Sequence, residues 1–281
     1  MSTASAAFKT ISRSTTGLPP FILATGGTEY LSGGYKYHEF TSSGTFTVKS
    51  VPSYLSTTNG PGSAFNCIDI MLIGGGGGAA TTAGGGAGGY VFIRSIRIVP
   101  GNYEVVVGSA GLGTGGGGPT KGGDTAFGRG VMTTPLTALG GGAPGTPTKN
   151  GGSGAGTTTF ANNGIGQQPS STTGGLGNDG GSNPIGFYGT GGGGAGSAAP
   201  STGGAAGDGV QGDLPDSGGS RGAVYLTNYR WYCKGGATSG VETSNAPSNS
   251  GWGGGGGGGT GYNGGSGRII LRYPCAFIYN Q

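Results

Sequence analysis

The sequence predicts an all-β protein, a β-sandwich that carries one large, ordered glycine-rich insertion. Three observations lead there. The chain has 75 glycines among 281 residues, so more than a quarter of it has no side chain to bury and an ordinary core cannot extend throughout. The glycine is clustered, as in Gly74 to Gly78, Gly191 to Gly194 and Gly253 to Gly259. Runs of alternating apolar and polar residues lie near both ends, so beginning and end both read as strands.

Taken in order, residues 1–33 read as an attachment arm, a Ser/Thr-rich lead with Pro19, Pro20 and a short apolar patch from Phe21 to Leu23. Tyr35 to Phe40 and Thr45 to Val48 alternate around Ser43 and Gly44, a hairpin pattern. Ile68 to Ile73 is a third strand that runs straight into five glycines. Tyr90 to Val99 is rich in β-branched and aromatic residues, and Pro100-Gly101 turns it into Asn102 to Val107, a second hairpin. From Gly108 to Gly267 glycine tracts alternate with Ser/Thr/Pro/Asn connectors, and Ala223 to Lys234 reads as a further strand. Arg268 to Tyr273 then restores the strand pattern. The division is therefore an arm (1–33), a sandwich (34–107 with 268–281) and an insertion (108–267). Ile68, Ile70, Leu72, Ile269, Leu271 and Tyr273 alternate along their strands and are the candidate interior.

Ordering glycine costs about 1 to 2 kcal/mol of backbone entropy per residue, so disorder is the alternative such a composition raises. Collagen needs glycine strictly at every third residue, and the clusters exclude it. Glycine runs do suit the threefold polyglycine helix of the polyproline II type, which has no internal hydrogen bonds. With no Cβ in the way, such helices pack side by side and bond each other's backbones. Each bond contributes only about 0.5 to 1.5 kcal/mol, so a lattice of many helices is expected rather than a few isolated ones.

Charge is sparse, with 14 Lys/Arg against 10 Asp/Glu, and no basic cluster indicates nucleic acid as a partner. No run is long and apolar enough for a signal peptide or a membrane span. Cys67, Cys233 and Cys275 lack CxxC spacing and read as buried free thiols, which fits assembly in a reducing cytoplasm, with one disulfide pair plus one free thiol as the alternative.

The ordered series YKYHEFTSSGTFTV, IDIMLIGGGGG, GGGAGGY, VPGNYEVVVGSAG, GGDTAFG, RWYCKGG and GGSGRIILRYP resembles the glycine-rich domain of bacteriophage tail fibres and related virion appendages, over about residues 34–273. It is also similar to the glycine-rich ectodomain of anaplastic lymphoma kinase. That second resemblance implies a tumour-necrosis-factor-like sandwich carrying polyglycine II helices. No kinase, receptor features or cysteine framework accompany it, so the viral reading is preferred. The first resemblance implies a virion protein, either a tail-fibre or fibre-tip adhesin or, as the alternative, a head fibre, decoration or connector protein. Its implied partners are other virion proteins, reached through the arm, and a host surface glycan or outer-membrane protein, with a homo-oligomer as the expected state.

No catalytic constellation emerges, and no cofactor or metal is expected. His38, the lone histidine, reads as a strand residue facing solvent. Asp69, Asp124, Asp179, Asp208, Asp213 and Asp216 are scattered, most of them in turn contexts, and Gly111, Gly113 and Gly116 match a nucleotide-loop pattern by chance in so glycine-rich a tract. Tyr225, Tyr229, Trp231 and Tyr232 admit sugar stacking, but Tyr229, Trp231 and Cys233 share one strand face and read as core. Trp252, just before seven glycines, reads as packing over the end of the lattice. Receptor contact falls to the connectors, namely Thr157 to Phe160, Asn162, Asn163, Gln167, Gln168, Phe187 and Tyr188, unless these only cap the lattice.

Overall fold

The computed structural model describes residues 21–52, 66–113, 118–145, 147–158, 162–183, 189–201, 203–214, 231–238, 244–257 and 259–275. These residues form strands, turns and extended segments, with no α-helix among them. In chain order the strands are β1 (Leu23–Thr25), β2 (Thr28–Ser32), β3 (Tyr35–Phe40), β4 (Gly44–Ser50), β5 (Cys67–Ile73), β6 (Tyr90–Arg97), β7 (Gly101–Val106), β8 (Thr125–Arg129), β9 (Leu136–Ala138), β10 (Val210–Gln211), β11 (Trp231–Tyr232), β12 (Gly256–Gly257), β13 (Thr260–Gly261) and β14 (Arg268–Pro274).

Ten of them make two antiparallel five-stranded sheets, ordered β1-β4-β7-β8-β9 and β2-β3-β14-β5-β6, while β10-β11 and β12-β13 are short separate pairs. Ile269 and Leu271 face Leu72 and Ile70 across the β14–β5 ladder, so strands almost 200 positions apart meet at the centre of the second sheet. The two sheets share one core. Ile68, Ile70, Leu72, Ile269, Leu271 and Tyr273 from the second sheet pack with Phe46, Val48, Tyr103, Val105 and Phe127 from the first. All six expected interior residues lie in this cluster. Full burial of an aliphatic or aromatic side chain contributes about 1.5 to 3 kcal/mol, which makes the core the main source of stability for this part.

Several expectations about connectivity are corrected. Neither hairpin exists, because β3 and β4 lie in opposite sheets, as do β6 and β7. Each tight link instead carries the chain from one sheet to the other. The second crossover is pinned by the Tyr103 hydroxyl, which donates to the Val99 carbonyl and accepts from the Val99 amide, both at 2.9 Å. Residues 21–33 are not an arm, since β1 pairs with β4 and β2 with β3. Gly26 and Gly27, with φ of 126° and 65°, allow the sharp link between them. The insertion does not run unbroken from 108, because β8 and β9 extend the first sheet beyond β7. Of the expected strand from Ala223 to Lys234, Trp231–Tyr232 is strand and residues 223–230 lie outside the described residues.

The remaining chain forms glycine-rich segments that leave the sandwich and return to it. From β5 the segment 74–79 runs outward, and 84–89 comes back into β6. Along the outward segment the amides of Gly74 and Gly77 donate to Gly89 and Gly86, those of Gly75 and Gly78 to Gly123 and Thr120, and those of Gly76 and Ala79 to Gly265 and Tyr262, at 2.8 to 3.0 Å. The partner thus repeats every three residues. The same segment accepts bonds from Gly141, Gly111 and Gly254, so six other segments surround it. Segment 84–89 repeats the arrangement, donating to residues around 190, 254 and 142 and accepting from Gly77, Ser153 and Gly236. A Cβ on Gly75, Gly76, Gly77 or Gly78 would overlap a neighbouring carbonyl, so this packing requires glycine.

The lattice docks on the outer face of the second sheet through a second cluster in which Leu214, Tyr232 and Cys233 cover Tyr37, Met71, Ile73, Tyr90 and Ile270. Buried Arg268 pairs with Glu39 at 3.1 Å and donates to the Tyr232 hydroxyl at 3.0 Å. Thr125 ties the layers together by donating to the Ile73 carbonyl at 2.7 Å and accepting from the Gly108 amide at 2.9 Å.

Candidate functional site

The turn at Ala80–Ala83 joins an outward segment to a returning one and so marks the end of the lattice away from the sandwich. Gly256 abuts Ala80 and Ala83, and Gly189 abuts Thr82, which brings the β12–β13 turn and the start of segment 189–196 to the same end. Gly164 donates to the Ala155 carbonyl and Gly156 to that of Gly84, so Thr157 and Asn163 also lie toward that end. This far rim carries exposed Thr82, Thr158, Asn162 and Thr260. Lys149 reaches the rim as well, donating from Nζ to the Asn162 carbonyl at 3.1 Å. Among the described residues this surface is rich in hydroxyls, with the Asn162 amide beside them, and carries little charge.

The expected contact residues divide. Asn162 is exposed on the rim, whereas Asn163 is half-buried and spends its Nδ2 on the Gly180 carbonyl at 2.8 Å. Gln167 is exposed but sits at the opposite end, its amide bonded to Gly151. Gln168 is 0% exposed, which removes it from any contact surface. Its Oε1 accepts from the Leu139 amide at 2.7 Å, and its Nε2 donates to Ser171 Oγ at 2.9 Å and to the Gly174 carbonyl at 2.5 Å. It is a polar plug where β9 becomes lattice. Phe160, Phe187 and Tyr188 lie outside the described residues, as do Tyr225 and Tyr229.

The tryptophans also depart from expectation. Trp231 is 57% exposed, while Tyr232 and Cys233 are both buried. Cys233 has φ of 55°, which breaks strand alternation, so two consecutive side chains turn inward and Trp231 turns out. Trp252 is half-buried on the flank of the lattice, not over its end. Its Nε1 donates to the Trp231 carbonyl at 3.1 Å, and the Lys234 ammonium lies 5.3 Å from its ring centroid.

A model of the glycine-rich domain family matches residues 50–274. The chain belongs to that family. The match begins at the last residue of β4, so this glycine-rich domain completes its sandwich with strands that precede the matched region. No curated protein matches the chain.

His38 is 0% exposed, not solvent-facing, because β3 turns it toward Phe46 at the edge of the core. Nδ1 lies 2.7 Å from the Gly26 carbonyl, which can only accept, so Nδ1 carries the proton and Nε2 accepts from the Tyr273 hydroxyl at 2.9 Å. Burial holds its pKa below the usual histidine value. Burial likewise pushes the thiol of Cys233 and the hydroxyl of Tyr90 upward, so both stay protonated. None of the three cysteines forms a disulfide, and Cys275 is partly exposed, not buried. Among the described residues no cluster of His, Cys, Asp or Glu could hold a metal, and no helix is long and apolar enough to cross a membrane.

Proposed function

We propose that this glycine-rich domain protein is a non-enzymatic bacteriophage virion protein, a tail-fibre or fibre-tip adhesin that binds the host surface. The observation that carries the reading is the far rim. The lattice interior is mostly glycine with some alanine and has little chemical variety, whereas the far rim presents the exposed hydroxyls of Thr82, Thr158 and Thr260 and the amide of Asn162. Such a neutral surface suits a host glycan or the exposed loops of an outer-membrane protein. We read the three-residue repeat of hydrogen-bond partners as polyglycine II helices, and the paired five-stranded sheets as a tumour-necrosis-factor-like sandwich. On this reading the chain folds in the host cytoplasm, joins the virion through the residues preceding β1, and acts as a homo-oligomer.

Exchanging residues 158–162 for a Gly/Ser connector tests the reading. Particles that assemble but no longer adsorb to the host support it. Poor assembly, with normal adsorption by the few particles formed, supports instead a head fibre, decoration or connector protein. One observation favours that second reading: β1 and β2 are consecutive edge strands of the two sheets, which places two strand edges side by side for contact with another virion protein.

A further inference from the structure

We propose that Trp231 and Trp252 form a sugar-stacking site on the flank of the lattice, taking a pyranose ring of a surface polysaccharide. The site deepens the adhesin reading, on which it rests for the source of its ligand. The chain has only two tryptophans, and the structure brings both to one surface. A fully inward indole would be the more stabilising arrangement, and the neighbouring Tyr232 and Cys233 do turn inward. Trp231 is presented outward, on the strand face opposite Tyr232, while the positive φ of Cys233 keeps the side chain after Tyr232 inward as well.

The surroundings suit a sugar better than a protein. Gln211 is exposed and pairs directly with Trp231 across the β10–β11 ladder, so its amide stands beside the indole on the same face. Trp252 is held edge-on by the Trp231 carbonyl, with the Lys234 ammonium over its ring. A pyranose offers axial C–H groups on one face and hydroxyls around its rim. The electron-rich indole face receives the former, and the Gln211 amide and Lys234 ammonium are placed for the latter. Neighbouring Val210 is partly buried in the second core cluster, so among the described residues the indoles lack the broad apolar surround of a protein interface.

The test applies the full-length chain to an array of bacterial surface polysaccharides and neutral hexose oligosaccharides, and titrates any bound glycan under selective tryptophan excitation. Wild type is expected to bind at least one glycan with a change in tryptophan emission. Trp231→Ala should weaken that binding about tenfold or more, while Trp231→Tyr keeps it within about threefold. The alanine variant retains the backbone carbonyl that holds Trp252, so its fold is expected to survive, with unchanged Tm as the check. Failure to bind any array glycan overturns the proposal, as does equal binding by Trp231→Ala. Trp231-dependent capture of a host outer-membrane protein without any glycan overturns the sugar assignment. Glycan binding indifferent to Trp231, with adsorption still lost on exchange of residues 158–162, rejects this site and leaves the adhesin reading standing. Trp231-dependent glycan binding, with adsorption unchanged by both substitutions, rejects the adhesin reading and leaves the site.

Discussion

The sandwich and the lattice solve the same problem with opposite means. In the sandwich, large side chains such as Phe46, Tyr103, Phe127 and Leu72 exclude water, and the backbone bonds within each sheet follow from that packing. In the lattice there is almost nothing to exclude water with. Segments approach until each backbone is walled by others, and amide-to-carbonyl bonds replace apolar contact. Hydrogen bonds are worth little singly, but a buried amide left unbonded is costly, so a surrounded segment is held by the penalty of removing any neighbour. The contrast teaches that glycine content by itself decides neither order nor disorder. The number of neighbouring segments does.

The largest effect should come from the side-chain half. Phe127→Ala removes a fully buried ring stacked on Tyr103 with centroids 5.4 Å apart, and chemical denaturation should record a loss of about 3 to 5 kcal/mol. The lattice should respond to the reverse operation, adding one methyl. Gly77→Ala sets a Cβ against the Gly142 carbonyl, and a loss of about 3 kcal/mol in the same assay is expected, whereas Gly118→Ala, with nothing within 4 Å, should stay within about 0.5 kcal/mol. Equal behaviour of the two alanines would mean the interior segments are not packed. Gly256→Val, against Ala80 and Ala83, belongs with Gly77→Ala.

At the boundary between the halves, Gln168→Ala strands the Leu139 amide and leaves the Gly174 carbonyl only a 3.4 Å bond from Ser171 Oγ, and a loss of about 2 kcal/mol should appear without any change in the sandwich core. The smallest effect concerns pH. His38 is buried neutral, with its pKa below that of the unfolded chain, so the unfolded state takes up a proton first as pH falls. The stability that His38 contributes is present above about pH 6.5 and is lost as pH falls toward its folded pKa. Thermal scans at pH 7 and pH 5 should show that decline, and His38→Gln should reduce it.

What was legible in the sequence follows from the same contrast. Ile68 to Leu72 and Ile269 to Tyr273 announced an interior because alternation and burial coincide there. The hairpins at Ser43-Gly44 and Pro100-Gly101 were misread because a tight link looks alike whether it joins neighbours in one sheet or crosses between two. β8 and β9 went unseen because Thr125–Arg129 and Leu136–Ala138 are short runs inside glycine-rich sequence, and their pairing depends on distant β7. For the site, Asn162 is exposed and Gln168 is buried, and the sequence does not distinguish them, since both are amides in polar connectors and only lattice geometry buries one of them. Trp231 was placed inside by strand parity, and nothing in the sequence signals that Cys233 takes a positive φ.

Amide hydrogen exchange, resolved residue by residue, tests most directly whether backbone bonds alone hold the lattice. The amides of Gly75 to Gly78 and Gly84 to Gly88 should be protected to the same degree as those of β5 and β14, and those of the perimeter residues Ser109, Thr120 and Ile165 less so. Exchange of the interior glycine amides at the rate of an unfolded chain, with β5 and β14 still protected, would contradict it.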